Sequence, residues 1–284
     1  MKNLTMPSRD TDRDDLEENI HTYVYNGQVR GYEPTGTEID RAIELYDHYD
    51  EVGGRVDNEL KADDLDPALV NSVKAAFSKT YSLRPLAHLR EHLFRGVDDC
   101  PICGIDPPTQ LDHFLPKSSF GVLAIYSRNL VPVCASCNHT KSSDVPANPN
   151  EEFVHAYFDI VPDTDFLEAN INLAADGLDV EFEFIHHPDM PEQLRERLTH
   201  QFESLGLEQR YRREINVYVG GHATSFHTLF DIGGSAAIKA WLEAQSVQEA
   251  RRFHRNDWRA VVFRSLGNHD DFCDGGFAVA FPLL

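Results

Sequence analysis

Two Cys-x-x-Cys knuckles, Cys100-Pro-Ile-Cys103 and Cys134-Ala-Ser-Cys137, stand 30 residues apart and constrain this chain more than any other feature. Zinc prefers four ligands at tetrahedral corners, and each knuckle turns back to offer two thiolates to one ion. The chain has five cysteines, and an odd count with four of them paired this way favours metal ligation over disulfides. Four thiolates close the coordination shell and leave no position for water or substrate, so this zinc is expected to be structural. Cys273 stands apart and reads as a reduced, partly buried thiol.

The knuckles divide the chain by composition. Residues 1–20 form a mixed-charge, aromatic-free stretch that reads as a disordered tail. Residues 21–97 read as a helical N-terminal region. One helix is expected from Thr37, with Ile39, Ala42, Ile43, Tyr46 and Tyr49 in period. A second starts from Asp66 and Pro67, with Leu69, Val70, Val73, Phe77 and Tyr81 on one face, and a third covers 84–94. Residues 98–143 are Cys-rich and Pro-rich, with strand-like pieces at 110–114 and 129–134, and SSDVPANPNEE closes them as a linker. Residues 144–284 read as a mainly helical, acidic region. Val180, Phe182 and Phe184 alternate as in a half-buried strand, and helices are expected over 191–205, 208–219, 236–252 and 256–266. The expected class is α+β, a mainly helical chain around a central zinc-stapled ββα module.

Bulk properties limit the function classes. Hydrophobic residues make up 41% and charged residues 26%, as in an ordinary globular protein. No apolar run approaches the roughly 20 residues of a membrane span. The polar, acidic start MKNLTMPSRDTDRDDLEEN is unlike a signal peptide, which points to the cytoplasm and to no membrane partner. No GxxxxGK[ST] loop is present, so no ATPase is expected. His186-His187, the pair His222 and His227, and NHDDFCD at 268–274 lack complete ligand spacing.

Three short strings lie around the knuckles: QLDHFLPKS, RNLVPVC and CNHTK. Their order resembles the HNH (ββα-metal) endonuclease family, in its subgroup with a four-cysteine zinc site, over about one sixth of the chain. The matching positions are Asp112-His113, Pro116, Asn129-Leu130, Asn138 and Lys141. The resemblance implies that His113 acts as general base and that Asp112 and Asn138 hold a catalytic Mg²⁺ or Mn²⁺. It also implies that Asn129 holds the loop carrying His113, and that Lys141 and Lys117 contact substrate phosphate. These types suit phosphodiester hydrolysis, which needs a base for water and a hard cation for developing charge. Many members carry a second histidine where this chain has Asn138, making this a His-Asn-Asn variant. His139 is turned about 100° from Asn138 on a helix, so Asn138 is the expected ligand.

The resemblance implies a metal-dependent endonuclease hydrolysing phosphodiester bonds in DNA. By analogy it suggests an effector in bacterial anti-phage defence. The alternative is a non-catalytic zinc-knuckle module that binds nucleic acid or protein. A homing or restriction-type enzyme should carry a basic reading helix or a known binding motif, and neither flank does. The net charge of −21 opposes binding to phosphates. Residues 1–97 carry 19 acidic and 12 basic groups, residues 98–143 carry 4 and 3, and residues 144–284 carry 24 and 11. Weak binding to random DNA is therefore expected, with help from a protein partner or a homo-oligomer.

Overall fold

Capping chemistry sets where the N-terminal helices begin. The computed structural model describes residues 2–283 apart from Asp144, Ala147 and Asp176, two of which belong to the expected linker. Helix α1 (Asp12–Asn19) leads into a hairpin of β1 (Tyr23–Tyr25) and β2 (Gln28–Arg30). The hairpin turns at Asn26-Gly27, both at positive φ (50° and 74°), the pairing that suits a two-residue turn. Helix α2 (Gly36–Glu51) is capped by Thr35, not by Thr37. The Thr35 hydroxyl accepts from the Glu38 N–H and the Glu38 carboxylate accepts from the Thr35 N–H, a reciprocal capping box. Helix α3 (Pro67–Ala76) starts at Asp66, whose carboxylate accepts from the Ala68 N–H. Helix α4 (Ala87–Phe94) starts three residues later than the periodicity suggested. Pro85 disfavours helical backbone at Arg84, and Leu83 sits at φ 63°, so the chain loops first.

Residues 2–20 are not a free tail. The N–H groups of Lys2 and Leu4 donate to the carbonyls of Pro101 (2.9 Å) and Ala156 (2.8 Å), and Leu16 and Ile20 are buried. Composition misled here because the charges are matched in space. Arg9 reaches Asp12 (2.9 Å) and Asp47 (2.6 Å), and Arg13 reaches Asp40 (2.6 Å).

The middle of the chain folds as strand, strand, helix. Strand β3 (Gln110–His113) pairs antiparallel with β4 (Leu130–Val133), placing Asp112 opposite Val131 and His113 opposite Leu130. Helix α5 (Ala135–Lys141) follows at once. The remainder holds a long hairpin, β5 (Leu167–Ala174) with β6 (Gly177–Phe184), and the helices α6 (Glu192–Ser204), α7 (Leu207–Gly220), α8 (Ala223–Arg252), α9 (Trp258–Gly267) and α10 (Phe277–Ala280). Val180 is buried and Phe182 and Phe184 are half-buried, as their alternation implied. Helix α8 breaks at Gly234 (φ 60°, ψ −154°), so the helix expected from 236 is the second arm of a longer element. The chain is α+β, about half helical, with small two-stranded sheets. No helix among the described residues is long and apolar enough to cross a membrane.

Two hydrophobic cores cross the compositional boundaries at 97 and 143. One unites α1–α4 with residues 115–126, including Phe120, Leu123 and Tyr126. The other unites the knuckles and β4 with the C-terminal hairpin and helices. Phe77, Phe114 and Phe158 pack against both.

Between the cores runs a buried polar chain. The Tyr157 N–H donates to His155 Nδ1 (3.1 Å), so the proton of the neutral ring lies on Nε2. Nε2 then donates to the Tyr49 hydroxyl (2.9 Å), which donates to Asn129 Oδ1 (3.1 Å). A protonated His155 would set Nδ1–H against the Tyr157 N–H, and burial holds this ring down to about 3. The folded value lies below the unfolded value of about 6.5. Stability is therefore full above that pH and is lost as pH falls toward 3, by about 1.4 kcal/mol per pH unit from this one group. Denaturant unfolding between pH 7 and pH 4 should show that slope. His155→Gln should flatten it by about that amount, and an unchanged slope would remove His155 from the account.

Candidate active site and metal centre

The four knuckle cysteines converge in the interior. Their sulfurs all lie within 4.8 Å of one another, and all four residues are buried. Cys103 Sγ and Cys134 Sγ are 3.8 Å apart. Four sulfurs each about 2.3 Å from one tetrahedral ion would be separated by about 3.8 Å, so the cluster fits zinc. Gly104 turns the first knuckle at φ 63°, and a Cβ there would lie 2.9 Å from Asp257 Oδ2. Cys134 caps α5, its sulfur accepting from the Cys137 N–H (3.4 Å). Hydrogen bonds within the cluster pull Cys103 and Cys134 toward thiolate and push Cys100 and Cys137 up, as when four thiols share protons that one dication would displace.

Distant helices hold the cluster. The guanidinium of Arg210 on α7 donates to the sulfurs of Cys137 (3.5 Å) and Cys103 (3.4 Å), with Cys134 at 3.9 Å. It offsets part of the negative charge that four thiolates and one Zn²⁺ would carry. The Tyr211 hydroxyl donates to the Cys103 carbonyl (2.9 Å), and the Trp258 indole donates to the Gly104 carbonyl (3.0 Å). None of these partners was singled out by sequence, because they lie more than 100 positions from the first knuckle. Cys273 is buried away from the cluster, its thiol donating to the Leu266 carbonyl (3.3 Å) and pushed up to about 11 by burial. Among the described residues no other group of three or more His, Cys, Asp or Glu donors converges in this way.

Asp112, His113, Asn138 and Lys117 line one cleft of about 600 Å³, together with Phe77 and Arg90. The His113 Nε2 lies 3.0 Å from the Ala124 carbonyl. A carbonyl only accepts, so Nε2 carries the proton and Nδ1 keeps its lone pair. The ring packs against Phe77 (centroids 4.3 Å). Burial, with Lys117 and Lys141 adding to it, holds His113 down to about 4 and therefore neutral at pH 7.

Asn129 is fully buried and clasps the loop after His113. Its Oδ1 accepts from the Leu115 N–H (2.8 Å), and its Nδ2 donates to the carbonyls of Leu115 (3.1 Å) and Leu123 (3.3 Å). The residue next to Leu123 is Ala124, the His113 acceptor. One amide thus fixes both the loop and the group that orients the histidine ring.

Strand β3 and helix α5 meet in two rungs. Asn138 Nδ2 donates to Gln110 Oε1, and the Lys141 ammonium lies 2.9 Å from Asp112 Oδ2. Gln110 and Asp112 share a strand face, and Asn138 and Lys141 are one helical turn apart. The Asp112 Oδ1 forms no hydrogen bond among the described residues. Burial pushes the Asp112 carboxyl up while Lys141 draws it down. Oxygen donors of Asp112 and Asn138 beside one cleft suit a hard cation such as Mg²⁺.

The two lysines divide. Lys117 is exposed, with its ammonium 4.5 Å from the centre of the Phe77 ring. Lys141 does not line this cleft. Its ammonium is buried on Asp112 and on the carbonyls of His113 (3.1 Å) and Phe114 (3.0 Å). A lysine one turn beyond the second knuckle points back across the strand because a buried carboxylate requires a counter-charge there. Its expected role in phosphate contact is corrected to one in holding Asp112.

No family model matches the chain, and no solved structure matches it. It is similar to protein ea31 of Escherichia phage lambda, at 26% identity over 196 residues, covering 64% of this chain and 66% of that protein. The matched part is just under two thirds of the phage protein's own length.

Purified protein should carry one zinc per chain by elemental analysis. Zinc-binding energy in small zinc modules is folding energy on the order of 10 kcal/mol. Cys134→Ser should therefore lose the metal and at least about 10 °C of melting temperature. Full stability without zinc would reject the staple.

Proposed function

We propose that this chain is a metal-dependent HNH endonuclease that hydrolyses phosphodiester bonds in DNA. The observation that carries the reading is the shared cleft of Asp112, His113 and Asn138 on a β3–β4–α5 frame whose turns are tied by the four cysteines. His113 holds an unprotonated Nδ1 toward attacking water, while its Nε2–H rests on the Ala124 carbonyl and prevents the ring from turning. Asn129 holds the neighbouring Leu123 carbonyl and with it the turn that carries Ala124. Asp112 and Asn138 would hold a Mg²⁺ or Mn²⁺, which supplies charge stabilisation at phosphate and leaving oxygen. Lys141 sits on the Asp112 carboxylate and draws it toward the ionised form against the burial that pushes it up. Lys117 brings a free ammonium to the same cleft for a phosphate oxygen.

The competing reading is a zinc-knuckle binding module. Such a module has no use for a histidine whose tautomer is set by a dedicated carbonyl, nor for a buried Asp–Lys pair beside it.

Supercoiled plasmid with Mg²⁺ or Mn²⁺ provides the test. Wild type should nick it, and His113→Ala should lower the rate by at least about 100-fold in protein that remains folded and retains its zinc. Asp112→Asn is the better probe of the carboxylate, because Asp112→Ala would strand the buried Lys141 charge. Cutting by His113→Ala at the wild-type rate would sink the assignment, and absence of cutting by wild type would favour the binding module.

A further inference from the structure

The acidity of the chain is not evenly spread around the cleft. Residues 67–97 carry five basic side chains, Lys74, Lys79, Arg84, Arg90 and Arg95, against Glu91 alone, within a chain of net charge −21. Taken over 1–97, this excess is hidden by the acidic residues before Asp66. Elsewhere most arginines are matched to carboxylates, as Arg41 is to Glu44, Glu59 and Asp64. None of the five, nor Lys117, forms an ion pair among the described residues. Arg90 lines the cleft with its guanidinium 4.7 Å from the Tyr81 ring centre, and its buried Nε has no hydrogen-bond partner among the described residues.

The loop 81–86 projects beside this wall. Tyr81 is 56% exposed and Leu83 is 99% exposed. Leu83 stands at φ 63°, a backbone region that a leucine adopts only under constraint from its surroundings. The constraint is visible: the Leu86 N–H donates to the Lys79 carbonyl, the Arg84 N–H to the Tyr81 carbonyl, and Leu86 is buried. The loop is a rigid turn that presents one apolar side chain to solvent between Tyr81 and Arg84.

We propose that loop 81–86, with Arg84, Arg90 and Lys117, is the surface on which duplex DNA docks, Leu83 entering between base pairs while the cations hold phosphates leading into the cleft. This rests on the nuclease reading for the cleft and names how that cleft meets its substrate. Unpaired cations fit a polyanion, and an apolar wedge beside cations is the pairing that unstacks a base step and bends a duplex. An acidic remainder then repels DNA in every other orientation.

The full-length His113→Ala protein, with zinc retained, allows binding to be measured apart from cutting. A labelled duplex of 30 base pairs would be titrated by anisotropy at several salt concentrations. Adding Arg84→Ala, Arg90→Ala and Lys117→Ala should weaken binding at least about tenfold and lower the salt slope by about 2 to 3. Arg251→Ala with Arg252→Ala should change neither. Leu83→Ala, at a fully exposed position, should abolish the fluorescence rise of a 2-aminopurine in the duplex at saturating protein. Undiminished binding by the triple variant, no duplex binding at all, tighter binding to duplex RNA, or an unchanged 2-aminopurine signal for Leu83→Ala would each overturn the proposal. If the triple variant loses DNA while wild type never nicks plasmid, the docking surface stands and the nuclease reading falls. If wild type nicks and the triple variant binds and nicks equally well, the reverse holds.

Discussion

The convergence of four buried sulfurs is the constraint from which the rest of the cleft follows. Cys134 is both a member of the cluster and the cap of α5, so the cluster sets where that helix begins and which way it points. The direction of α5 in turn lays Asn138 against Gln110 and Lys141 against Asp112. Arg210, Tyr211 and Trp258 bind the same cluster to α7 and α9, which makes the C-terminal region part of the frame and not an appendage. Four thiolates without a cation would repel one another in a low-dielectric interior. The metal-filled state is thus the one the surrounding packing suits.

A second, independent clamp governs the histidine. In a directed chain of hydrogen bonds, His155 donates to Tyr49 and Tyr49 to Asn129, whose amide donates in turn to the Leu123 carbonyl, next to the His113 acceptor. Members of this chain come from α2, from the residue before β4 and from the segment after the linker, so ring orientation at His113 reports on packing across both cores. Under the proposed function, catalysis would be sensitive to residues that never touch substrate. Buried polar networks behave this way because each member leaves another unsatisfied when removed.

Charge distribution gives the molecule a direction. A strongly acidic surface is screened within about 8 to 10 Å at physiological salt, so Arg90 and Lys117, which line the cleft without a carboxylate partner among the described residues, weigh heavily in the field there. Under the proposed docking, the acidic majority would discourage misaligned encounters with DNA and these cations would retain aligned ones.

By itself the sequence determined the strong local signals. Cysteine spacing implied a four-sulfur centre, the Asp66-Pro67 pair implied a helix start, and alternation at Val180, Phe182 and Phe184 implied a strand. Each depends on chemistry within a few residues or on donors of one distinctive type. Thr35 was also legible in principle, since Glu38 stands three residues on, yet helical period drew attention to Thr37. The tertiary structure alone decided the rest. It packed residues 2–20 against the rest of the chain, burying Leu16 and Ile20 and pairing Arg9 with Asp47 and Arg13 with Asp40, and it brought Arg210 to the sulfurs. It turned Lys141 from the cleft onto Asp112, and it gathered Arg90 and Lys117 with His113 around one cleft. These choices rest on desolvation and charge pairing between residues distant in sequence, which spacing along one chain does not encode.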